Sequence, residues 1–165
     1  MQRVARMIVA GLVAVMAACA APPRTPERTL TQVLFVCEHG NVKSLMAATY
    51  FNELAKERGL SFRGVSRGSA PDSTTVPDAI IGGLHAEGFD VSNFRSAAVS
   101  PADVSASERV ITIGAALPST AEDAEADIEQ WNDVPPASAN YAAARDSLRA
   151  HVKELLEQLS HPERR

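Results

Sequence analysis

Two short, continuous apolar runs constrain the fold of this chain most strongly. Residues 33–36 read Val-Leu-Phe-Val and residues 110–113 read Val-Ile-Thr-Ile, and both runs are rich in β-branched residues. Runs of this kind are typical of strands that are buried on both faces, as in parallel sheets covered by helices on each side. They therefore predict an α/β fold around a buried parallel sheet.

The remaining segments have the patterns of helices and of two further strands. Apolar residues at helical spacing predict helices at residues 44–58, 77–87 and 141–159, and a helix start at residues 100–103. The further strand candidates are residues 62–67 and 128–131. This alternating order predicts a three-layer domain over residues 32–160, with a four-stranded parallel sheet and helices on both faces.

The composition is that of a globular protein. The 165 residues are 45% hydrophobic and 22% charged, a balance that excludes a wholly disordered chain. The formal net charge is -4 and no cluster of Lys and Arg is present, so nucleic acid is not an expected partner. Two cysteines are too few for a four-cysteine zinc site, and no histidine pair has metal-ligand spacing. We therefore expect no metal and no other cofactor.

The first residues have the features of an export signal. Arg3 and Arg6 precede twelve uncharged residues, 7–18, which are too few to span a bilayer. The run ends in Met16-Ala17-Ala18-Cys19, which resembles the cleavage and acylation site of bacterial lipoproteins.

This resemblance implies a signal peptide at residues 1–18 and lipidation of Cys19. Residues 19–31 would then be a flexible linker. At the other end of the chain, we expect residues 161–165 to form a disordered tail. We expect the protein to be an exported lipoprotein that is anchored to a membrane, with the periplasmic face favoured. The alternatives are an ordinary cleaved signal, or a misassigned start codon in front of a cytoplasmic protein.

The chemistry of the chain is concentrated in the loop after the first predicted strand. This loop reads Cys37-Glu38-His39-Gly40-Asn41-Val42-Lys43-Ser44 and leads into the first predicted helix. Ligands of parallel sheets bind at the carboxyl ends of strands, where a short loop and a helix N-terminus direct N–H groups toward an anion. A cysteine in that position is stabilised as the thiolate, which is the form that attacks phosphorus.

The loop resembles the Cys-x5-Arg-Ser phosphate-binding loop of the low-molecular-weight protein-tyrosine phosphatases and the related thioredoxin-coupled arsenate reductases. Other segments extend the resemblance over residues 32–159, which is nearly all of the chain that signal cleavage would leave. They are Ser66-Arg67-Gly68-Ser69-Ala70, the helix exit Gly88-Phe89-Asp90, the strand at residues 108–113 and the late loop at residues 131–136. The resemblance implies the fold of that family.

The resemblance also implies roles for the loop residues. Cys37 would be the nucleophile that forms a phosphocysteine, Ser44 would hydrogen-bond its sulfur, and Lys43 stands where the family has arginine. The backbone N–H groups that would hold phosphate belong to Glu38, His39, Gly40, Asn41, Val42 and Lys43. The implied activity is that of a phosphomonoester phosphatase, in particular a protein-tyrosine phosphatase, with a phosphorylated protein as its partner.

Several loop residues depart from the family pattern. Lys43 supplies a positive charge without the planar two-toothed contact of arginine, which weakens the expected transition-state binding. Glu38 adds a carboxylate that either faces water or repels phosphate. Gly40 stands where the family has its loop asparagine, which here follows as Asn41. His39 either tunes the thiolate or is only a polar loop residue.

The general acid is a further point at which the chain departs from the family. The family places an aspartate directly before a proline in the late loop, where it protonates the leaving oxygen. This chain has Asp133-Val134-Pro135-Pro136 instead. Asp133 is therefore the candidate general acid, and the alternative is that it caps a turn and that the acid is missing.

Two other functions remain open at this point. A thioredoxin-coupled arsenate reductase needs two further cysteines, and no cysteine follows Cys37, so reduction of arsenate would depend on an external thiol. A non-catalytic oxyanion-binding domain is the other alternative, because Lys43 replaces arginine and no aspartate directly precedes proline in the late loop.

Overall fold

The computed structural model describes residues 29–122 and 125–161. Strands and helices alternate along these residues, with a single 3-10 turn at Ser119–Ala121. The strands are β1 (Thr31–Cys37), β2 (Phe62–Gly68), β3 (Ser107–Ile113) and β4 (Ile128–Trp131). The helices are α1 (Lys43–Glu57), α2 (Asp78–Ala86), α3 (Pro101–Ser105) and α4 (Tyr141–Ser160).

Some sequence predictions lie outside the described residues. They are the signal peptide at residues 1–18, the lipidated Cys19, most of the linker and residues 162–165 of the tail. These assignments stay predictions. β1 begins at Thr31, so the first strand starts one residue before the predicted domain boundary.

The four strands form one parallel sheet in the order β2-β1-β3-β4. β1 lies at the centre and pairs with β2 on one side and with β3 on the other. β4 pairs with β3, from Val110 opposite Ile128 to Ile113 opposite Trp131. Apolar side chains are buried on both faces of this sheet, under α1, α2 and α4 on one face and under α3 on the other. The predicted three-layer α/β fold with a four-stranded parallel sheet is confirmed.

The helix boundaries follow local signals in the sequence. α1, α2 and α4 begin and end within one residue of the predicted bounds. α3 begins with a capping box, in which Ser100 Oγ accepts a hydrogen bond from the Asp103 N–H and the Asp103 carboxylate accepts one from the Ser100 N–H. This arrangement satisfies N–H groups that the first turn of a helix leaves without partners.

The alternation of side chains along β1 sets the direction of Cys37. Val33 and Phe35 lie in the larger core, against α1 and α4, and Cys37 follows on the same face. Leu34 and Val36 lie in the smaller core on the opposite face. Because successive side chains of a strand point to opposite faces, Cys37 ends the central strand on the side of α1.

Candidate active site

Cys37 is surrounded by hydrogen-bond donors at the carboxyl end of β1. Its side chain is almost completely buried, and its Sγ accepts a hydrogen bond from the backbone N–H of Gly40 at 3.3 Å. The same Sγ lies 3.0 Å from Oγ of Ser44, in the first turn of α1. Donors that converge on a sulfur stabilise a negative charge on it. The structure therefore brings Cys37 and Ser44 together in the contact that the resemblance implies.

Ser66 on β2 extends this contact into a buried chain of hydroxyl groups. Its Oγ lies 2.9 Å from Oγ of Ser44 and 3.0 Å from the carbonyl oxygen of Gly40. Buried polar groups that satisfy one another hold a single arrangement. The resemblance includes Ser66 but assigns it no role. The parallel pairing of β1 with β2, which sets Phe35 opposite Ser66, brings this hydroxyl to the loop.

The carbonyl groups of the loop are bound on its outer side. Four consecutive carbonyl oxygens accept hydrogen bonds from β2, from the segment after it and from Ser96, at 2.5–3.0 Å. The pairs are Cys37 with the Ser69 N–H, Glu38 with the Ala70 N–H, His39 with Ser96 Oγ, and Gly40 with Ser66 Oγ. Carbonyls that are fixed outward leave N–H groups for the inner side, as in other anion-binding loops.

Gly40 and Asn41 fix the shape of the loop. Gly40 has a φ of 74°, and a Cβ atom on it would lie 2.5 Å from both Gly68 N and Ser96 Oγ. Only glycine fits this left-handed, crowded position. The buried Asn41 side chain donates a hydrogen bond to the carbonyl of Thr75 at 2.7 Å. Its amide therefore ties the loop to the segment before α2.

A cavity of about 270 Å³ opens over the loop. It is lined by three segments that are distant in the sequence but meet at the carboxyl edge of the sheet. These are Cys37, Glu38, His39, Val42 and Lys43 of the loop, Ile113 and Gly114 after β3, and Pro136, Ala137 and Ser138 between β4 and α4. A site outside the carboxyl ends of parallel strands is the expected position for a ligand.

Lys43 reaches across the cavity to the end of β3. A Cβ atom on Gly114 would lie 2.6 Å from Nζ of Lys43, so the ammonium group lies directly over this glycine. Gly114 has a φ of 60°. The loop cation is thus placed beside the cavity as the sequence predicts, and Gly114 provides the space that it occupies.

His39 and Glu38 form the exposed rim of the cavity. The Asp72 carboxylate lies beside the His39 ring, with Oδ1 3.2 Å from Nδ1 but no hydrogen bond to it. The other ring nitrogen, Nε2, lies 3.9 Å from Oε2 of Glu38. The side chain of Glu38 is 69% exposed, so its carboxylate is largely solvated. Of the two alternatives for Glu38, the one in which it faces water agrees with this position.

The structure does not bring Asp133, the candidate general acid, to the cavity. Its two carboxylate oxygens lie 2.9 and 3.0 Å from Nε2 of His151 on α4. The His151 ring in turn stacks on Trp131, with the ring centroids 4.7 Å apart. Asp133 is absent from the cavity lining, where Pro136 and Ala137 form the wall. The role of Asp133 as general acid therefore stays a prediction, with its carboxylate bound to His151 and not among the residues that line the cavity.

The cavity wall between β4 and α4 is fastened by Tyr141 at the start of α4. Its hydroxyl donates a 2.6 Å hydrogen bond to Glu87 Oε1, and Arg149 Nη2 lies 2.7 Å from Glu87 Oε2. Burial alone would raise the pKa of Glu87, but these hydrogen bonds outweigh burial and lower it. Burial also raises the pKa of the neighbouring Tyr50, to about 12. The cluster therefore joins α1, α2 and α4 through an ionised carboxylate.

Metal-binding clusters and membrane-crossing helices are both absent from the described part of the chain. Within residues 29–122 and 125–161, no group of three or more His, Cys, Asp or Glu side chains is arranged to hold a metal ion. No helix in the same ranges combines the length and apolar character needed to cross a bilayer.

The fold and the loop together define a class of protein. A cysteine at the end of the central parallel strand, a loop whose Gly40 N–H donates to the cysteine sulfur and a following helix are parts of a cysteine-dependent phosphatase site. A model of the low molecular weight phosphotyrosine protein phosphatase family matches residues 32–130. The chain belongs to this family. No curated protein matches the sequence significantly.

Solved structures have the same fold. YfkJ from Bacillus subtilis superposes with a TM-score of 0.72 at 21% identity, over 82% of this chain and 98% of its own. An arsenate reductase from Archaeoglobus fulgidus gives a TM-score of 0.62 at 22% identity, over 76% and 98% of the two chains. A low molecular weight protein tyrosine phosphatase from T. tengcongensis gives 0.59 at 22% identity, over 78% and 99%. At these identities the likeness shows the fold alone.

Proposed function

We propose that this protein hydrolyses phosphomonoesters through a phosphocysteine intermediate on Cys37. The observation that carries the proposal is the pair of contacts on the Cys37 sulfur, from the Gly40 N–H at 3.3 Å and from Ser44 at 3.0 Å, at a cavity of about 270 Å³. A sulfur anion so placed faces any tetrahedral oxyanion that the loop amides hold. Membership of the phosphatase family supports the same reaction.

The proposed reaction has two steps. The Cys37 thiolate attacks phosphorus, the S–P bond forms, the ester P–O bond breaks, and the leaving oxygen takes up a proton. Water then attacks phosphorus, the S–P bond breaks, and phosphate and the thiolate are released. Ser44 stabilises the thiolate at the start and end of the cycle, and Lys43 opposes the negative charge of the oxygens.

The proposed substrate is a phosphotyrosine side chain of a protein. The cavity combines the charged loop with apolar wall residues, Ile113, Pro136 and Ala137, which suit an aromatic ring next to a phosphoryl group. The exposed rim at Glu38 would meet the rest of a protein substrate.

Hydrolysis of an aryl phosphate by the wild type, Cys37→Ser and Cys19→Ser tests the proposal. We expect turnover by the wild type and Cys19→Ser and none by Cys37→Ser. Acid quenching of the wild type followed by mass spectrometry is expected to show one phosphoryl group on the peptide that contains Cys37. The absence of turnover in a folded protein that still binds phosphate would establish a non-catalytic oxyanion-binding domain instead.

Arsenate reduction is the second candidate, because arsenate reductases share the fold and arsenate resembles phosphate. Only Cys37 is present in the described residues, so an external thiol would supply the second sulfur. Loss of arsenate that requires glutathione, without hydrolysis of the aryl phosphate, would favour this activity.

Attachment to a membrane is a separate proposal that rests on the sequence alone. The segment Met16-Ala17-Ala18-Cys19 supports cleavage before Cys19 and its acylation. The mass of the mature protein tests this directly. A Cys19→Ser variant is expected to lose both the added acyl mass and sedimentation with membranes, and retention of both would refute the anchor.

A further inference from the structure

The proposed hydrolysis needs a proton donor for the leaving oxygen, and the aspartate expected in that role is not among the residues that line the cavity. Asp133 is held by His151 on α4. Among the described residues that line the cavity, the titratable ones are Cys37, Glu38, His39 and Lys43. Cys37 is the nucleophile of the proposed reaction and Lys43 supplies positive charge. The remaining candidates are therefore His39 and Glu38.

Chemistry favours the histidine over the glutamate. Histidine is the side chain that exchanges a proton between pH 5 and 8, so it can both donate and accept in one cycle near neutrality. The Glu38 side chain is 69% exposed, so it is surrounded mainly by water and not by groups of the cavity. Glu38 lies 3.9 Å from the His39 ring, where its charge acts on the imidazolium form.

The surroundings of His39 fix its backbone and place a carboxylate beside its ring. The Asp72 carboxylate lies 3.2 Å from Nδ1, on the side of the ring opposite Nε2. The backbone of His39 is fixed as well, because its carbonyl accepts a hydrogen bond from Ser96 Oγ. Gly68 packs against the His39 peptide group so closely that a Cβ atom there would lie 2.9 Å from it. Nδ1 makes no hydrogen bond in this structure, and a small rotation of the exposed Asp72 side chain would let its carboxylate accept the Nδ1 proton, which sets the tautomer and leaves Nε2 for proton transfer.

We propose that His39, oriented by Asp72, is the general acid and base of the hydrolysis. The proposal rests on the proposed function and replaces Asp133 in it. As the S–P bond forms, the His39 imidazolium gives its Nε2 proton to the leaving oxygen while the ester P–O bond breaks. Neutral His39 then takes a proton from the attacking water as the S–P bond breaks. Asp72 is a positioning residue in this reaction.

The test uses two substrates that differ in their need for an acid. Phenyl phosphate has a poor leaving group that must be protonated, whereas 2,4-dinitrophenolate leaves readily as an anion. We expect His39→Asn to lower kcat/KM for phenyl phosphate by about 10²–10³-fold and that for 2,4-dinitrophenyl phosphate by less than about tenfold. Asp72→Asn is expected to lower kcat/KM selectively for phenyl phosphate as well, but by a smaller factor than His39→Asn. If His39 acts as an acid, kcat/KM of the wild type for phenyl phosphate should decrease at alkaline pH. This decrease should be absent in His39→Asn.

Matched variants separate this role from a structural one. His85→Asn, on the exposed surface of α2, is expected to leave both substrates unaffected. Equal losses on both substrates in His39→Asn would overturn the proposal and indicate that His39 only shapes the loop. A selective loss in Glu38→Gln or Asp133→Asn, with none in His39→Asn, would also overturn it. If the wild type hydrolyses neither ester, the proposed function itself fails. If the wild type is active and His39→Asn is equally active, only the role of His39 is refuted.

Discussion

Asp133, in the connection between β4 and α4, lies within hydrogen-bond distance of His151 on α4. The carboxylate approaches Nε2 of His151 at 2.9 Å, while 70% of the Asp133 side chain remains exposed. Exposed pairs of this kind contribute little to stability, and this one does not touch the cavity. In this arrangement the Asp133 carboxylate binds α4 and does not line the cavity.

The first prediction is that Asp133→Asn has little effect. We expect kcat/KM for an aryl phosphate to remain within a small factor of the wild-type value, and the free energy of unfolding to fall by at most about 1 kcal/mol. Steady-state kinetics and urea denaturation measure the two quantities. A loss of two orders of magnitude with phenyl phosphate would show instead that Asp133 leaves His151 and enters the cavity during catalysis.

The second prediction concerns Gly40. Gly40→Ala would force a left-handed residue with a side chain into space occupied by Gly68 and Ser96. We expect a loss of about 1–3 kcal/mol in the free energy of unfolding and a loss of phosphate binding, because the Gly40 N–H moves away from the sulfur. Denaturation and titration with phosphate measure these changes.

Gly82→Ala is the matched control for this prediction. Gly82 lies in α2, and a Cβ atom on it would meet nothing within 4 Å. Alanine is the better helix former, so the control is expected to gain up to about 1 kcal/mol. Equal behaviour of the two variants would mean that the loop relaxes around the added methyl group of Gly40→Ala and that the crowded position is not needed.

The third prediction concerns the loop cation. Lys43→Met removes the charge over Gly114 and is expected to lower kcat/KM by about 10²–10³-fold, the usual effect of losing one oxyanion-stabilising group. Lys43→Arg is expected to be at least as active as the wild type, since a guanidinium binds two oxygens of phosphate at once. Lys153→Met, at an exposed position of α4, is the control. An unaffected Lys43→Met enzyme would refute a role of this charge in catalysis.

Local sequence patterns were sufficient to predict the sheet and the loop. The run at residues 33–36 is apolar throughout because β1 is buried on both faces, and the loop motif follows it without a gap. Cys37, Lys43 and Ser44 could be placed together because β1 and α1 are adjacent in the chain. Their proximity could therefore be predicted without knowing the rest of the fold. A short connection from a strand to the next helix limits how far apart these residues can lie.

Contacts between distant segments could not be predicted in the same way. Ser66 and Ser96 reach the loop through the pairing of β2 with β1 and through the segment after α2, and no local pattern marks them. Asp133 was assigned from its place in the late loop, but its direction depends on α4, which presents His151 to it. The hydrogen-bond partner of a polar side chain depends on tertiary packing, and the spacing of residues in the sequence does not reveal that packing.

The last prediction concerns Glu87, which joins α2 to α4 behind the cavity wall. Its carboxylate accepts hydrogen bonds from the Tyr141 hydroxyl at 2.6 Å and from Arg149 at 2.7 Å. Burial opposes the charge, yet these donors lower the pKa of Glu87 below its ordinary value of 4.5. Glu87→Gln is expected to lower the free energy of unfolding at pH 7 by about 1.5–3 kcal/mol, the range for hydrogen bonds to a charged group.

The pH dependence of this loss gives the sharper measurement. A carboxylate whose pKa is lowered by folding contributes its full stabilisation above pH 4.5, and the contribution disappears as the pH falls through the lowered pKa of the folded protein. The difference in unfolding free energy between the wild type and Glu87→Gln should therefore be constant from pH 7 to about pH 5 and decrease below it. Glu108→Gln, at an exposed position of β3, is expected to show no such decrease. A difference that persists unchanged into acid would mean that the new amide of Glu87→Gln disturbs the packing of Tyr50 and Tyr141, and that the charge of Glu87 is not what joins the helices.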